Sequence, residues 1–334
     1  MHNTILVVGG AGYIGSHTAF LLAQHGYKVI VLDNLLQGQT FSHPWATFVK
    51  GDFGNQDLLT ELLSKNNIAA VMHFAAFIEV GESIKNPLKF YNNNVTKTLQ
   101  LFETMLAHGV NKFIFSSSCA VYGKPQFLPL TENHPTAPIS PYGSSKLIVE
   151  TVLQDLNRAH GLEYVALRYF NAAGALPEYG LGERHLPESH IIPLLLRAAQ
   201  TQKPFSIFGT DYPTRDGSCV RDYLHVLDIG YAHLLALNHL LEGKPSDAFN
   251  LGTGNGFSVR QIIEMVEKVT ETKIRTVFAE KRAGDPAELV ADPTRAKNIL
   301  QWQPRYSDLE FIIRSAHVFE QQAGHAHVAQ ELRN

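Results

Sequence analysis

The sequence predicts an α/β protein with a doubly wound parallel sheet and a second, smaller α/β domain. Apolar runs typical of buried strands alternate with amphipathic helical stretches through the first half of the chain. Each helical stretch is long enough to cross back over a sheet, as parallel strands require. At 334 residues the chain can bury a large core and still form a second domain.

Strands and helices are expected to alternate up to residue 170. The strands are placed at residues 4–8, 28–33, 47–50, 69–75, 112–116 and 163–170. The helices are placed at residues 14–25, 57–65, 88–108 and 142–160. Gly26, Gly109 and Gly161 follow three of these helices, at the position where a glycine commonly ends a helix.

The pattern of the chain changes after residue 170, where we expect the second domain to begin. Residues 172–193 contain many Gly, Pro and His residues, as loops do. Residues 220–250 return to the earlier pattern of helix and strand. We therefore expect residues 1–171, with a return at about 220–250, to form the larger domain. Residues 172–219 and 251–334 are expected to form the smaller, substrate-binding domain.

Composition and charge point to a small-molecule partner. The formal net charge is −3 and 18% of the residues are charged, which indicates neither a nucleic-acid-binding surface nor a disordered acidic tail. No apolar run approaches the roughly 18 residues of a membrane span. The two cysteines, Cys119 and Cys219, form no CxxC motif, which suits a protein of the reducing cytoplasm. The 16 histidines are scattered without an HExxH motif, so we predict no metal site.

A glycine-rich loop lies between the first predicted strand and the first predicted helix. It satisfies both GxxGxxG and GxGxxG through Gly9, Gly10, Gly12 and Gly15. Glycines let the backbone approach a pyrophosphate, whose charge then meets the positive N-terminal end of the helix. Asp33 ends the second strand, where its carboxylate can accept hydrogen bonds from ribose hydroxyls and repel a 2′-phosphate. This Rossmann-type pattern predicts NAD as the cofactor, and Asp52 is a candidate partner for the adenine amine.

A tyrosine and a lysine stand four residues apart at the start of the last predicted helix, after Pro141. Such positions share one helix face, so Tyr142 and Lys146 can point into one site. For a tyrosine to act as a base near neutral pH, its pKa must fall by about three units, which is about 4 kcal/mol of phenolate stabilisation. We expect the Lys146 ammonium and the positive charge of a nicotinamide ring to supply this stabilisation. Ser118 follows a strand at the carboxyl edge of the sheet and is predicted to relay or share the substrate proton.

Taken together, these motifs resemble the extended short-chain dehydrogenase/reductase family, and most closely its UDP-hexose 4-epimerases. The matching segments, beyond the glycine loop and residues 141–146, are residues 32–34 (LDN), 73–76 (HFAA), 80–83 (VGES), 93–95 (NNV), 116–123, 168–171 (RYFN), 220–226, 250–252 (NLG) and 282–285. They keep the family's order over residues 4 to about 304. The resemblance implies epimerisation at C4 of a UDP-hexose, with UDP-glucose and UDP-galactose as the main pair, through a 4-keto intermediate and with NAD regenerated in each turnover.

The motifs and the resemblance together assign roles to individual residues. Tyr142 is implied to accept the proton, Lys146 to hold the nicotinamide ribose, and Ser118 to bind the sugar hydroxyl. The residues assigned to the cofactor are Gly9, Gly12, Tyr13, Ile14, Gly15, Asp33, Asn34, Asp52, Phe53, Phe74, Ala75, Ala76, Asn93, Lys146 and Phe170. Those assigned to the UDP-sugar, beyond Ser118 and Tyr142, are Asn171, His190, Ser206, Phe208, Arg221, Arg282, Asp285 and Leu289. The resemblance further implies a homodimer formed through the helices at residues 88–108 and 142–160.

Four positions depart from the family's pattern. Val8 stands where the family often has threonine and Ile78 where some members have lysine, and either change is expected to loosen NAD retention without abolishing it. His190 stands where some epimerases have asparagine, and its imidazole can still donate to an oxygen atom. Leu289 is intermediate between a bulky tyrosine and the small residues that admit N-acetylated sugars, so a UDP-N-acetylhexosamine pair is a candidate second substrate.

Two alternative functions stay open at this stage. The first is another nucleotide-sugar enzyme of the same family, such as a UDP-glucuronate 4-epimerase or a 4,6-dehydratase. The Asp-Glu pair expected of a dehydratase is replaced here by Cys119-Ala120. The second is a non-catalytic NAD-binding regulator, and the presence of Ser118, Tyr142 and Lys146 argues against it.

Overall fold

A computed structural model describes residues 3–37, 41, 43–185, 188–281 and 285–331, with side chains described up to residue 322. The strands are β1 (Thr4–Val8), β2 (Lys28–Asp33), β3 (Thr47–Lys50), β4 (Ile68–His73), β5 (Lys112–Ser118), β6 (Glu163–Tyr169), β7 (Asn171–Ala173), β8 (Phe205–Phe208), β9 (Val220–Arg221), β10 (Tyr223–His225), β11 (Asp247–Leu251), β12 (Phe257–Ser258), β13 (Thr276–Ala279) and β14 (Glu288–Leu289). The helices are α1 (Tyr13–Gln24), α2 (Gln56–Lys65), α3 (Val80–Lys85), α4 (Pro87–Tyr91), α5 (Lys97–Ala107), α6 (Pro141–His160), α7 (Ile191–Thr201), α8 (Val226–Leu241), α9 (Val259–Thr270), α10 (Thr294–Ile299) and α11 (Leu309–Glu331). Among the described residues, no helix combines the length and the apolar character needed to cross a membrane.

Seven parallel strands form the central sheet, in the order β3-β2-β1-β4-β5-β6-β11. Alternate side chains of β1 face opposite sides of this sheet. Ile5 and Val7 belong to a buried cluster with α1 and α8, whereas Leu6 and Val8 belong to a cluster with α2, α5 and α6. Helices therefore cover both faces, which confirms the doubly wound fold. The strand order reverses between β1 and β4, and this reversal opens a crevice at the carboxyl ends of the strands.

The helix predicted at residues 88–108 is present, but it is not one regular α-helix. The structure has α4, a π-helical turn at Asn92–Thr96 and then α5. The turn buries Asn94, whose side chain accepts a hydrogen bond from the Phe77 backbone N–H at 2.9 Å and donates one to the Phe77 carbonyl at 3.0 Å. These bonds tie the loop after β4 to the helix, and apolar periodicity gives no sign of such a polar contact.

A third buried cluster lies outside the two faces of the central sheet. It joins α7, α9 and α11 with β8 through side chains that include Leu195, Ile207, Ile262 and Ile312. As expected, the chain also returns to the large sheet, because α8 packs on α1 and β11 pairs with β6. We therefore propose a larger domain of residues 1–171 and about 220–250, and a smaller domain of residues 172–219 and 251–334.

Candidate active site

The loop after β1 has a shape that only glycine permits at two positions. Gly9 has φ +78°, and a Cβ there would lie 2.4 Å from the backbone nitrogen of Ala75. A Cβ at Gly15 would lie 2.3 Å from the Gly9 carbonyl oxygen. Gly12 precedes α1 and offers no side-chain cap for its first amide groups. The result is a close backbone cradle at the positive end of a helix, which suits a phosphate group.

Acidic side chains stand at the ends of β2 and β3, beside this loop. Asp33 accepts hydrogen bonds from the backbone N–H groups of Ala11 at 3.0 Å and Leu35 at 2.8 Å. Burial raises the pKa of Asp33, although these backbone donors lower it. Asp52 instead accepts hydrogen bonds from the Lys97 ammonium at 2.6 Å and from the Asn34 side-chain amide at 3.0 Å.

A cavity of about 1430 Å³ extends from the glycine loop to the start of α6. Its walls include every residue assigned to the cofactor except Asp52: Gly9, Gly12, Tyr13, Ile14, Gly15, Asp33, Asn34, Phe53, Phe74, Ala75, Ala76, Asn93, Lys146 and Phe170. Ser118, Tyr142 and Leu289 line the same cavity. The carboxylate of Asp52 is held by Lys97 and Asn34, which is the physical reason for its different placement.

The three residues assigned to catalysis meet at the start of α6. Ser140 caps this helix by accepting the Gly143 N–H at 3.2 Å, and Pro141 opens its first turn. Ser118, at the end of β5, lies close enough to Tyr142 for its hydroxyl to lower the pKa of the phenol. The Lys146 ammonium donates to the Ser116 carbonyl at 2.8 Å and lies 5.9 Å from the centre of the Tyr142 ring.

The electrostatics of this group differ from the expectation for Tyr142. Burial raises the pKa of the Tyr142 phenol to about 12, although the Ser118 hydroxyl lowers it. Burial also lowers the pKa of the Lys146 ammonium to about 7, against the raising effect of Glu150. The protein groups alone therefore do not produce the lowered phenol pKa that was predicted. The physical reason is that burial acts on both groups, and a lysine that is only partly charged gives a phenolate little support.

A buried polar network beneath Lys146 received no role from the sequence. Glu150 lies one helical turn after Lys146 and forms a bidentate ion pair with Arg168, with Nε at 3.0 Å from one carboxylate oxygen. Ser117 donates to Glu150 at 2.5 Å, and Arg168 donates to the Tyr122 hydroxyl at 2.9 Å. The i, i+4 spacing of Lys146 and Glu150 is the signal that could have identified it.

A second cavity, of about 610 Å³, adjoins the first on the side of the smaller domain. It is lined by most residues assigned to the UDP-sugar: Asn171, His190, Ser206, Phe208, Arg221 and Asp285. Asn171, His190 and Asp285 also line the larger cavity, so the two spaces share a wall. Arg282 lies outside the described residues.

The charged side chains at this second cavity are paired with one another. Arg221 forms an ion pair with Asp285. The Nδ1 atom of His190 lies 2.8 Å from Glu183 and 3.0 Å from Glu188. Burial lowers the pKa of His190, but the two carboxylates outweigh it and raise the pKa to about 10. Neither glutamate was singled out in the sequence, although the pattern ExHxxExH at residues 183–190 could have drawn attention to them.

Fold and site together define a Rossmann-type, dinucleotide-dependent enzyme with a second cavity beside its α7, α9 and α11 helices. Residues 5–252 match the model of the NAD dependent epimerase/dehydratase family, and the chain belongs to this family. A UDP-glucose 4-epimerase from Rhizobium meliloti (strain 1021) is 50% identical over 316 residues, which cover 94% of this chain and 96% of the relative.

Solved structures support the same assignment. The UDP-glucose 4-epimerase from Brucella ovis in complex with NAD is 47% identical and has a TM-score of 0.92, covering 94% of this chain and 97% of that chain. The UDP-Glc/GlcNAc 4-epimerase from Campylobacter jejuni is 44% identical with a TM-score of 0.84, covering 96% of this chain and 99% of that chain.

Proposed function

We propose that this enzyme catalyses the NAD-dependent epimerisation of a UDP-hexose at C4, interconverting UDP-glucose and UDP-galactose through a transient 4-keto sugar. The observation that carries the proposal is that one cavity has the glycine loop at one end and Tyr142, Ser118 and Lys146 at the other. The similarity to UDP-glucose 4-epimerases over 94% of the chain favours this reaction over the glucuronate epimerase, the dehydratase and the non-catalytic regulator.

The residues around the larger cavity fit NAD. The cradle formed by Gly9 and Gly15 leaves no room for a Cβ, as a closely approached pyrophosphate requires. Asp33 at the end of β2 would take the ribose hydroxyls and disfavour a 2′-phosphate. Bound NAD supplies the reversible oxidation at C4 of the sugar.

Tyr142, Ser118 and Lys146 would manage the proton of the sugar. The Tyr142 phenolate takes the proton from the sugar O4 and later returns it to the same oxygen atom. Ser118, which lies beside Tyr142, would orient that oxygen atom. Lys146, whose pKa is lowered to about 7 by burial, would add only part of a positive charge beside the phenol, so the positively charged cofactor ring would supply the larger share of the phenolate stabilisation.

Epimerisation requires firm contacts at UDP and loose ones at the hexose, because the 4-keto sugar must present both faces. Arg221 and Arg282 are the cationic groups proposed to hold the diphosphate, since a guanidinium fork meets phosphate oxygens directly. Asn171, Ser206 and Phe208 line the second cavity and would hold the rest of UDP. Leu289, in the larger cavity, would face the hexose.

The test is an assay of UDP-glucose and UDP-galactose interconversion without added NAD. We expect turnover, and we expect about one NAD per chain to be released when the purified protein is denatured. Protein stripped of nucleotide is the matched control, and it should recover activity when NAD is returned. Absence of interconversion in protein that still carries NAD would contradict the proposal.

A second substrate pair, the UDP-N-acetylhexosamines, is proposed on the basis of Leu289. This side chain is half-buried in the cavity wall and smaller than the tyrosine that some family members carry there. The likeness to a UDP-Glc/GlcNAc 4-epimerase supports the extension. Kinetics with both pairs would test it, and no turnover of the N-acetylated sugars would remove it.

We further propose a cytoplasmic homodimer. Large apolar side chains are exposed on the helices that the family uses for pairing, including Leu88 at 73% and Ile148 at 39% exposure. The measurement is the mass in solution of the wild type and of a Leu88→Glu variant, which we expect to shift toward the monomer. The compartment rests on the two well-separated cysteines and is checked by cell fractionation.

A further inference from the structure

Four potential metal ligands lie together between the Pro177–Tyr179 turn and α7. They are Glu183, His185, Glu188 and His190, and one ligand atom from each lies within 4.8 Å of the others. The Glu183 Oε1 atom is 3.3 Å from the His185 Nδ1 atom and 2.8 Å from the His190 Nδ1 atom. The Glu188 Oε1 atom is 3.0 Å from the same His190 nitrogen.

The carboxylate of Glu188 is buried in this cluster and only half satisfied. Its side chain is 1% exposed. One oxygen, Oε1, accepts the backbone N–H groups of Ser189 and His190 at 2.8 Å. The other oxygen is buried and has no hydrogen-bond partner among the described residues. A fixed carboxylate with an unpaired buried oxygen is a costly arrangement, and a cation would relieve it.

The imidazole of His185 also has a buried nitrogen atom without a hydrogen-bond partner among the described residues. Its Nδ1 atom is buried, and its contact with Glu183 is too poorly aligned to count as a hydrogen bond. Glu183 itself is only 7% exposed. Two carboxylates and two imidazoles thus face one another in a space that water reaches only in part.

We propose that Glu183, His185, Glu188 and His190 bind one divalent transition-metal ion of the zinc type. Two nitrogen and two oxygen donors suit zinc, whereas magnesium and calcium prefer oxygen ligands throughout. Zinc bonds of about 2.1 Å require ligand atoms roughly 3.4 Å apart in a tetrahedron. Three of the six separations are 2.8, 3.3 and 3.0 Å, and the other three lie within 4.8 Å, so each distance must change by about 1.4 Å at most. The charges of the two carboxylates balance that of the ion.

This site contains none of the residues assigned to the cofactor or to catalysis, but it includes His190, which the sequence assigns to the UDP-sugar, and Glu183 and His190 line the wall that both cavities share. A zinc-bound imidazole is neutral, so His190 would then reach the sugar nucleotide as a metal ligand and not as a cation. The metal proposal does not depend on the epimerase proposal, because binding can be measured without substrate. The sequence predicts no metal site because the four ligands follow no familiar zinc spacing, and only the fold brings them together.

The test is a zinc titration of the untagged, chelator-treated full chain against a competing chromophoric chelator. We expect one equivalent of zinc to bind to the wild type. Changing a residue that only hydrogen-bonds to a metal ligand typically weakens binding by about 10- to 100-fold. His185→Asn and Glu188→Gln each remove a ligand, so each should weaken zinc binding by more than that. The variants His160→Asn and Glu178→Gln, at exposed positions outside the cluster, are the matched controls and should bind as the wild type does.

Cobalt absorption and thermal unfolding give independent measurements. Tetrahedral cobalt in the wild type should absorb in the visible region, and zinc should raise the melting temperature of the wild type and the controls but not of the cluster variants. Circular dichroism in the presence of chelator checks that each variant folds. If His185→Asn does not fold, the comparison is made with Glu188→Gln alone. The proposal is overturned if the wild type binds no stoichiometric zinc, or if a folded cluster variant binds zinc as tightly as the controls.

Discussion

The two adjoining cavities form one cleft, and its two ends are built in different ways. At the dinucleotide end, backbone atoms form the surface, and Gly9 and Gly15 leave no room for a side chain. At the substrate end, side chains form the surface, and they already pair with one another, as Arg221 does with Asp285. The first end is fixed by sterics before a ligand arrives. The second must exchange internal ion pairs for contacts with the ligand, so each of its residues is expected to contribute less net energy.

Tyr142 stands where the two ends meet, and its change is expected to have the largest effect. Tyr142→Phe removes the phenolic oxygen that we propose takes the proton from the sugar, so we expect kcat to fall by about 100- to 10,000-fold. NAD content and the KM for UDP-glucose should change little, because neither end of the cleft is altered. Steady-state kinetics and the nucleotide released on denaturation measure these quantities.

The matched control for this variant is Tyr179→Phe. Tyr179 is 50% exposed and lies outside both cavities, so its change should leave kcat within about twofold. Near-wild-type turnover in Tyr142→Phe would remove the proposed role of the phenol. Loss of NAD in that variant would show that the two ends are not independent.

Lys146 tests the electrostatics at the same junction. Burial lowers its pKa from 10.5 to about 7, so between these values the unfolded chain binds more protons and the stability of the nucleotide-free protein should rise with pH. Lys146→Met removes the burial penalty, and the variant should be more stable than the wild type at and below about pH 7, by at most about 5 kcal/mol. This excess should disappear as the pH rises toward 10.5. Chemical denaturation across this range measures the difference, and a pH-independent difference would contradict the assigned pKa of Lys146.

Gly15 tests the rigidity of the dinucleotide end. Gly15→Ala places a Cβ 2.3 Å from the Gly9 carbonyl oxygen, so we expect a destabilisation of about 1–3 kcal/mol and a loss of copurified NAD. Gly81→Ala is the matched control for stability, since a Cβ there meets no atom within 4 Å. Melting temperature and nucleotide content are the measurements. A Gly15→Ala protein with normal stability and full NAD content would mean that the loop yields easily.

The sequence predicts these two ends unequally well. The glycine spacing, strand alternation and Asp33 are local signals, and the structure places them as expected, with β1 and β2 at the predicted bounds. The opposed pairing of His190 with Glu183 and Glu188 depends on a loop conformation that no periodicity specifies. The phenol pKa of Tyr142 was predicted to fall beside Lys146 and a bound nicotinamide ring, and in the protein alone burial raises this pKa to about 12. The sequence gives no measure of that burial, which can be judged only once the fold is known. Local rules therefore identify the backbone-built end, and three-dimensional packing determines the other.

Arg221 tests whether the substrate end exchanges its partners. A charge-assisted hydrogen bond is worth about 1.5–3 kcal/mol, but Arg221 must first give up part of its ion pair with Asp285. We therefore expect Arg221→Met to raise the KM for UDP-glucose by only about tenfold, close to 1.4 kcal/mol, with NAD content unchanged. Arg158→Met, which removes an exposed guanidinium paired with Asp155, is the matched control. A rise in KM of a thousandfold or more would mean that the ion pair with Asp285 does not compete with the diphosphate for Arg221. The substrate end would then be as fully prepared for its ligand as the glycine loop, and the contrast between the two ends would fail.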